Sequence, residues 1–221
     1  MILLPDWLGW CTVFIMLVAA VALYLYLKYK GSLDLRDEMS DILSHIDIGV
    51  ATQRLSALLR ERDMTIATAE SFTGGLAAKK LTDYDGASSI FKGGVVCYSN
   101  EAKVYLLGVP PKVLTECGPV SEDVARHLAI GACSELDSDI GIAFTGLAGA
   151  ESDDYGNPGG HVFIGLAIKE GISVVKEKQY TGFSRAQIRE DAVLTAFNMV
   201  IRFLSSLPVE DESEGSINDK M

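Results

Sequence analysis

The sequence contains few of the side chains that most often build metal or acid–base sites, since its 221 residues include only three histidines and four cysteines. The cysteines, at positions 11, 97, 117 and 133, show neither a CxxC pair nor the spacing of a zinc site. This usage is typical of reduced, mostly buried thiols in a cytosolic domain. Asp153 and Asp154 are adjacent, but no further ligand cluster accompanies them, so we predict no metal site.

Basic residues are outnumbered, with 19 lysines and arginines against 30 aspartates and glutamates. Its formal net charge at pH 7 is −11. A protein that binds nucleic acid needs a basic surface to neutralise phosphates. The same deficit disfavours a domain that lies flat on anionic lipid. We therefore expect no nucleic-acid partner.

Charge is absent altogether from Trp7–Leu27, which reads WLGWCTVFIMLVAAVALYLYL. A helix needs about 20 apolar residues to cross a bilayer, so this stretch predicts a transmembrane segment. The alternatives are a buried core helix and a cleaved signal peptide, but a signal peptide should follow basic residues, and only Asp6 precedes this stretch. Lys28 and Lys30 follow it, which predicts a single-pass protein of the cell membrane with its N-terminus outside and its domain in the cytoplasm.

Four regions follow from this pattern. We predict a transmembrane anchor over residues 1–30, a juxtamembrane linker over 31–48, a folded domain over 49–207 and a disordered acidic tail over 208–221.

The domain alternates short β-rich runs with amphipathic segments. Leu55, Leu58 and Leu59 lie at helical spacing ahead of the first run. Strands are predicted at Met64–Ala69, Gly94–Tyr98, Ile140–Thr145, His161–Ile168 and Ser173–Tyr180. Helices are predicted at Thr73–Leu81, Asn100–Leu107, Ser121–Leu136 and Ala186–Leu204. The last two strands are separated by a short turn, as in an antiparallel hairpin, so we expect an α/β fold with a mixed sheet and helices on both faces.

The first chemical candidate is the segment TIATAESFTGG, Thr65–Gly75. Here a β-like run breaks into small residues before a helix, and such a turn exposes N–H groups that bind phosphate or an oxyanion. Ser71 lies at that turn and is placed to act as a nucleophile. The motif by itself favours a simpler interpretation, in which Ser71 or Thr73 caps the helix.

A nucleophilic serine needs a base. None of the three histidines, His45, His127 and His161, has a recognisable triad context. Lys103, in the segment CYSNEAK, is predicted in the first turn of a helix that Asn100 could cap. If the strands before Ser71 and Lys103 are parallel, both side chains lie at the carboxyl edge of the sheet, where open α/β folds bind ligands. A Ser–Lys pair is a known variant of the catalytic triad, although a first-turn lysine is more often solvated.

A further glycine-rich turn, Thr145–Gly149, also follows a predicted strand. It could offer N–H groups to a phosphate or be a flexible loop, and the sequence does not separate the two.

Several of these segments belong to one longer pattern. In order along the chain they are AESFTGG at 69–75, GASS at 86–89, FKGGVVCYSNEAK at 91–103, LLGV at 106–109, GPVSEDVA at 118–125 and TGLAG at 145–149. Together they resemble the CinA C-terminal domain family over about residues 49–204. The resemblance implies a three-layer α/β/α sandwich, here preceded by one transmembrane helix.

The family resemblance also implies an activity, the release of ammonia from nicotinamide mononucleotide or a close pyridine nucleotide to give the nicotinate nucleotide, without metal or cofactor. By motif match, Ser71 is the nucleophile and Lys103 the base. The implied substrate-binding residues are Thr73, Gly74, Gly75, Tyr98, Asn100, Thr145, Gly146, Ala148, Gly149 and Arg185. The family's tendency to self-associate makes a homodimer an expectation.

This sequence departs from the family pattern near those residues. Phe72 stands where the family usually has cysteine, and Ala150 where it has proline. Asn157 begins a segment that is usually KPVGTV, and the usual GDR motif reads GFSR, which keeps Arg185. These changes predict an altered pocket and leave open an alternative, a non-catalytic, membrane-tethered domain that binds or senses a nucleotide. A scaffold whose pocket is unused is a weaker third possibility.

Overall fold

A computed structural model describes residues 34–169 and 171–208, with side chains described from Ile48 onward. Its contacts divide the chain into two units, Met1–Leu43 and Ser44–Met221, and the second contains the sheet. The predicted transmembrane stretch and nearly all of the predicted acidic tail lie outside the described residues. Within residues 34–169 and 171–208, none of the helices is both long and apolar enough to cross a bilayer.

Helices and strands alternate along most of the domain. The helices are α1 Asp34–Glu61, α2 Leu76–Leu81, α3 Asn100–Leu107, α4 Pro111–Cys117, α5 Glu122–Glu135 and α6 Arg185–Ser206. The strands are β1 Ile66–Glu70, β2 Phe91–Val96, β3 Ile140–Gly146, β4 His161–Ile168 and β5 Ser173–Gln179.

The five strands form one sheet in the order β2-β1-β3-β4-β5. β1 lies between β2 and β3 and is parallel to both, whereas β4 is antiparallel to β3 and to β5. The sheet is therefore mixed, as the predicted hairpin required. The parallel half brings the carboxyl ends of β1, β2 and β3 to one edge.

Helices pack on both faces of this sheet because its central strands bury both sets of side chains. On one face, Ile66 and Ile142 pack with side chains of α1, α2 and α6 in the largest hydrophobic cluster. On the other, Ala67 and Ala143 pack with side chains of α3, α4 and α5. Small alanines on the second face let the helices approach closely. The predicted stripe of leucines on α1 is confirmed, with Leu55 and Leu59 fully buried.

Three local predictions were wrong. β2 spans Phe91–Val96 rather than the predicted Gly94–Tyr98, so it begins three residues earlier and includes Gly93 as well as Gly94. Gly94 is needed there, since a Cβ at this position would lie 2.4 Å from Thr68 Oγ1 on β1. The short helix α4 was missed. α2 begins at Leu76 rather than Thr73, because Gly74 and Gly75 adopt left-handed conformations with φ of 64° and 98°.

Candidate active site

Ser71 and Lys103 meet at the carboxyl edge of the parallel strands. Ser71 directly follows β1, and its N–H donates a hydrogen bond of 3.0 Å to the carbonyl of Phe144 on β3. Lys103 lies on α3, which begins just after β2. That helix is capped by Ser99, whose Oγ accepts a bond from the Ala102 N–H at 3.2 Å, rather than by Asn100 as predicted.

Lys103 is an unusual lysine because only 2% of its surface is exposed. Its Nζ lies 3.4 Å from Ser71 Oγ, 3.0 Å from the carbonyl oxygen of Cys97 and 3.2 Å from that of Tyr98. Burial lowers the pKa of this amine below the ordinary lysine value, although Cys97 and Glu101 oppose the shift. From the sequence, a solvated side chain was the more common interpretation of this lysine. The structure shows a buried one instead.

The three contacts of Lys103 can be made in either protonation state, because an ammonium group has three N–H donors for the three oxygens. Burial favours the neutral amine. An unprotonated Nζ has two N–H groups and one lone pair. When the two N–H groups donate to the carbonyls of Cys97 and Tyr98, the lone pair is left for the hydroxyl proton of Ser71. This arrangement can take a proton from the serine, which is what a general base does.

The helix that follows Ser71 is capped by Glu70, not by Ser71 or Thr73. The Glu70 side chain is fully buried. Its carboxylate accepts bonds from the N–H groups of Gly75, Ala77 and Ala78 at 2.8–3.0 Å, and from Thr68 Oγ1 at 3.2 Å. No side-chain bond from Ser71 or Thr73 caps α2. The simple capping interpretation of Ser71 is therefore wrong, and its hydroxyl faces Lys103 instead.

A cavity of about 630 Å³ opens beside the serine and the lysine. The predicted site residues that line it are Ser71, Lys103, Tyr98, Asn100, Thr145, Gly146, Ala148, Gly149 and Arg185. The structure does not bring Thr73, Gly74 and Gly75 into this cavity. They line a separate one of about 380 Å³ with Lys79 and Arg189. Because Glu70 already occupies the N–H of Gly75, that N–H is not open to the phosphate that the sequence places at this turn.

The same cavity has further groups suited to an anion. The N–H groups of Ala148 and Gly149 have no hydrogen-bond partner among the described residues. Arg185 is exposed at the cavity and forms no hydrogen bond or ion pair within the described part of the chain. Thr145 differs, because its Oγ1 donates to the carbonyl of Pro119 at 2.5 Å. That bond holds the loop rather than leaving the hydroxyl proton for a ligand.

Two of the departures from the family pattern have structural explanations. Phe72 follows Ser71, but its side chain packs in the large hydrophobic cluster and is only 2% exposed, so it does not obstruct the serine. Asn157 does not line the cavity. Its side-chain amide donates to the carbonyl of Val120 at 3.0 Å and to Asp153 Oδ2 at 2.8 Å, which fixes the segment after Gly149.

The described histidines are remote from this chemistry. His161 bonds Asn157 Oδ1 and Glu177 through its two ring nitrogens, and His127 lies on α5. Neither lines the cavity.

Sequence reasoning missed four contributors. Glu70 stands within the quoted AESFTGG block, but its position next to the candidate serine gave no sign that the carboxylate would fold back onto α2. Pro119 and Val120 also line the cavity, and Glu151 adds the one acidic side chain among its lining residues.

With this geometry established, we compared the chain with known proteins. A family model described as the CinA C-terminal domain matches residues 50–204. A protein of Bacillus cereus (strain AH187) named as competence-damage inducible is 44% identical over 150 residues, or 68% of this chain. A Bacillus anthracis (strain CDC 684 / NRRL 3495) protein with the same description matches equally well. The chain spans only 36% of the length of these relatives.

Solved structures agree with the sequence match. The competence/damage inducible protein CihA from Agrobacterium tumefaciens superposes with a TM-score of 0.68 at 34% identity, covering 72% of this chain and 96% of that one. A CinA superfamily protein from Escherichia coli gives a TM-score of 0.68 at 31% identity, covering 71% and 90%.

Proposed function

The chain belongs to the CinA C-terminal domain family, and we propose that it is an amidohydrolase that converts nicotinamide mononucleotide, or a close pyridine nucleotide, to the nicotinate nucleotide and ammonia. The observation that carries the proposal is a buried lysine whose Nζ lies 3.4 Å from a serine hydroxyl beside a cavity of about 630 Å³. A solvated lysine would stay protonated, whereas burial lowers the pKa of Lys103 and so favours the basic form.

In the proposed reaction, Ser71 Oγ attacks the carboxamide carbon while Lys103 Nζ takes the hydroxyl proton. The carbonyl oxygen becomes an oxyanion, which backbone N–H groups beside Ser71 stabilise. Lys103 then gives the proton to the departing nitrogen, so that the C–N bond breaks and ammonia leaves an ester on Ser71.

Water completes the cycle. Lys103, again unprotonated, takes a proton from a water molecule that attacks the ester carbon. The C–O bond to Ser71 breaks, and the proton returns to Ser71 Oγ as the nicotinate nucleotide leaves. Each proton that Lys103 accepts is given back, so the enzyme ends as it began and needs no other co-reactant.

The phosphate of the substrate is proposed to bind the unpartnered N–H groups of Ala148 and Gly149 together with the Arg185 guanidinium. Both features line the same cavity as Ser71 and Lys103, and a planar guanidinium matches phosphate oxygens well. Tyr98 and Asn100 complete the wall next to Lys103.

The decisive experiment incubates the full chain, purified in detergent, with nicotinamide mononucleotide and measures both ammonia and the nicotinate nucleotide. Product should form with the unaltered protein and be lost in Ser71→Ala and Lys103→Met. Lys112→Met is the matched control, because Lys112 is an exposed lysine paired with Glu116 and should be dispensable.

The same experiment separates the alternative. If no product forms but the nucleotide raises the melting temperature of the full chain, the domain is a nucleotide-binding or sensing module. If product forms equally in the Ser71→Ala variant, the proposed chemistry is wrong.

We further propose, from the sequence, that an N-terminal helix anchors the domain at the cytoplasmic face of the membrane and that the domain pairs with itself. Fractionation of cells, with and without residues 1–30, tests the first proposal. Light scattering of the purified protein tests the second.

A further inference from the structure

Glu70 is a buried carboxylate that the reaction above does not use. It is the last residue of β1, directly before Ser71, and its side chain is fully buried. A buried charge is costly unless it is hydrogen-bonded, and such groups are seldom kept without a role. Glu70 is well bonded, since its two carboxylate oxygens accept four hydrogen bonds.

Those bonds close a short loop around the nucleophile. Three of the four donors are N–H groups at the start of α2, on Gly75, Ala77 and Ala78, which normally have no partner inside a helix. The carboxylate before Ser71 is thus tied to the helix after it. The residues between, Ser71–Gly75, have both ends fixed by one side chain.

The backbone of the same residue fixes the serine on its other side. The Glu70 carbonyl accepts the Cys97 N–H at 2.8 Å, and the Cys97 carbonyl in turn accepts a bond from Lys103 Nζ at 3.0 Å. The Glu70 side chain therefore contacts the turn that carries Ser71. Its main-chain carbonyl contacts Cys97, whose own carbonyl accepts a bond from Lys103.

Two N–H groups in this turn, those of Phe72 and Thr73, are left over within the described part of the chain, and of these two residues only Phe72 lines the cavity beside Ser71. Phe72 contributes to the cavity lining, and its N–H has no hydrogen-bond partner among the described residues. In acyl-transfer enzymes the N–H of the residue after the nucleophile commonly stabilises the oxyanion. Glu70 holds the far end of the turn through the Gly75 N–H. Because the Phe72 N–H has no bond of its own, the turn alone sets its direction.

We infer that Glu70 is a positioning residue, whose carboxylate fixes the Ser71–Gly75 turn so that the Ser71 hydroxyl and the Phe72 N–H are held ready for the tetrahedral intermediate. The inference rests on the proposed function, because it assigns Ser71 as nucleophile. It adds a role for Glu70 that is realised mainly in the transition state. Loss of the carboxylate should therefore lower kcat more than it changes KM.

The test compares Glu70→Gln with the unaltered full chain. Glutamine keeps the size of the side chain, but its NH₂ faces N–H donors and cannot accept from them. We expect kcat to fall about 30-fold, within the range that misplacement of a reacting group or loss of an oxyanion donor produces, with KM changed less than about threefold. The pH at which activity rises should not move, because the carbonyls that hold Lys103 are untouched.

Asp139→Asn is the matched control. Asp139 lies at the opposite end of β1, where one of its oxygens accepts bonds from the Thr65 N–H at 2.7 Å and Thr65 Oγ1 at 2.6 Å. It is a bonded, structural carboxylate remote from the cavity. If Glu70 only stabilises the fold, both variants should lose stability and neither should change kcat.

A second variant covers the case in which Glu70→Gln does not fold. Glu70→Asp keeps the charge but shortens the side chain by one methylene, so the contacts of 2.8–3.0 Å to α2 cannot all be kept, and kcat should again fall with KM little changed. A folded Glu70 variant whose kcat stays within twofold of the unaltered protein overturns the inference. Absence of product from the unaltered protein would instead overturn the proposed function, so the two failures are distinct.

Discussion

Two glycine-rich turns end parallel strands at the same edge of the sheet, yet they are built for different tasks. The turn after β1, Ser71–Gly75, has its helix donors saturated by Glu70 and the side chain of Phe72 in the core. The segment Thr145–Gly149, which ends β3 and continues beyond it, keeps the N–H groups of Ala148 and Gly149 unpartnered within the described residues, and the exposed Arg185 lies at the same cavity. Similar composition therefore yields a turn anchored by a buried carboxylate in one place and a loop without such an acceptor in the other. The difference lies in whether a protein acceptor occupies the N–H group at the end of the segment, that of Gly75 in the first and that of Gly149 in the second.

The largest expected effect concerns Lys103, the proposed base that faces the Ser71–Gly75 turn. Lys103→Arg keeps the positive charge, but arginine is not deprotonated in proteins. If the serine needs a neutral amine, kcat should fall about 10³-fold, as general-base catalysis contributes 10²–10⁴-fold. Ammonia release measures this. Activity within tenfold of the unaltered protein would mean that Lys103 is only a positive charge at the site.

A second effect tests whether the first turn is built into the core. Phe72→Cys restores the residue usual in the family, but it removes a ring that is 98% buried. We expect unfolding free energy to fall by about 3 kcal/mol, near the lower end for loss of a large core side chain. Urea denaturation measures it. An unchanged midpoint together with increased activity would show that the ring had been obstructing the cavity after all.

A smaller effect tests whether Arg185, at the cavity with the Thr145–Gly149 segment, binds the phosphate. Arg185→Ala should raise KM for nicotinamide mononucleotide about 10- to 150-fold, since a hydrogen bond to a charged group is worth about 1.5–3 kcal/mol. The nucleoside that lacks the phosphate should react equally well with both proteins. Lys79→Ala, at the second cavity, serves as the control cation. If the nucleoside is affected as much as the nucleotide, Arg185 does not bind the phosphate.

The smallest effect is a pH dependence of stability. Burial lowers the pKa of Lys103 in the folded domain below its ordinary value of 10.5, so the unfolded chain binds the extra proton throughout the interval between these two pKa values. Stability should therefore rise with pH across that interval, by at most about 1.4 kcal/mol per pH unit. Lys103→Met should lack this contribution. Parallel urea curves for both proteins from pH 7 to 10 measure the difference, and identical slopes would contradict it.

Much of this architecture could be read from residue order. The alternation of β-rich runs and amphipathic helices predicted the mixed sheet and most of its elements, because period-2 and period-3.6 patterns report directly which side chains are buried. Ser71 and Lys103 could also be paired in advance, since both follow neighbouring parallel strands. Errors arose at the ends of elements, as in β2, whose predicted start at Gly94 is three residues late because Gly93, a residue that is unfavourable in strands, lies inside this strand.

The sequence by itself determined the alternation of elements, the surplus of acidic charge and the two glycine-rich turns, because these depend on local composition and spacing. Only the tertiary structure decided which turn is open. Whether an N–H group is free depends on the carboxylate or carbonyl that folding brings to it, as Glu70 is brought to α2. The low pKa of Lys103 has the same origin, since it follows from burial among residues that lie far apart along the chain.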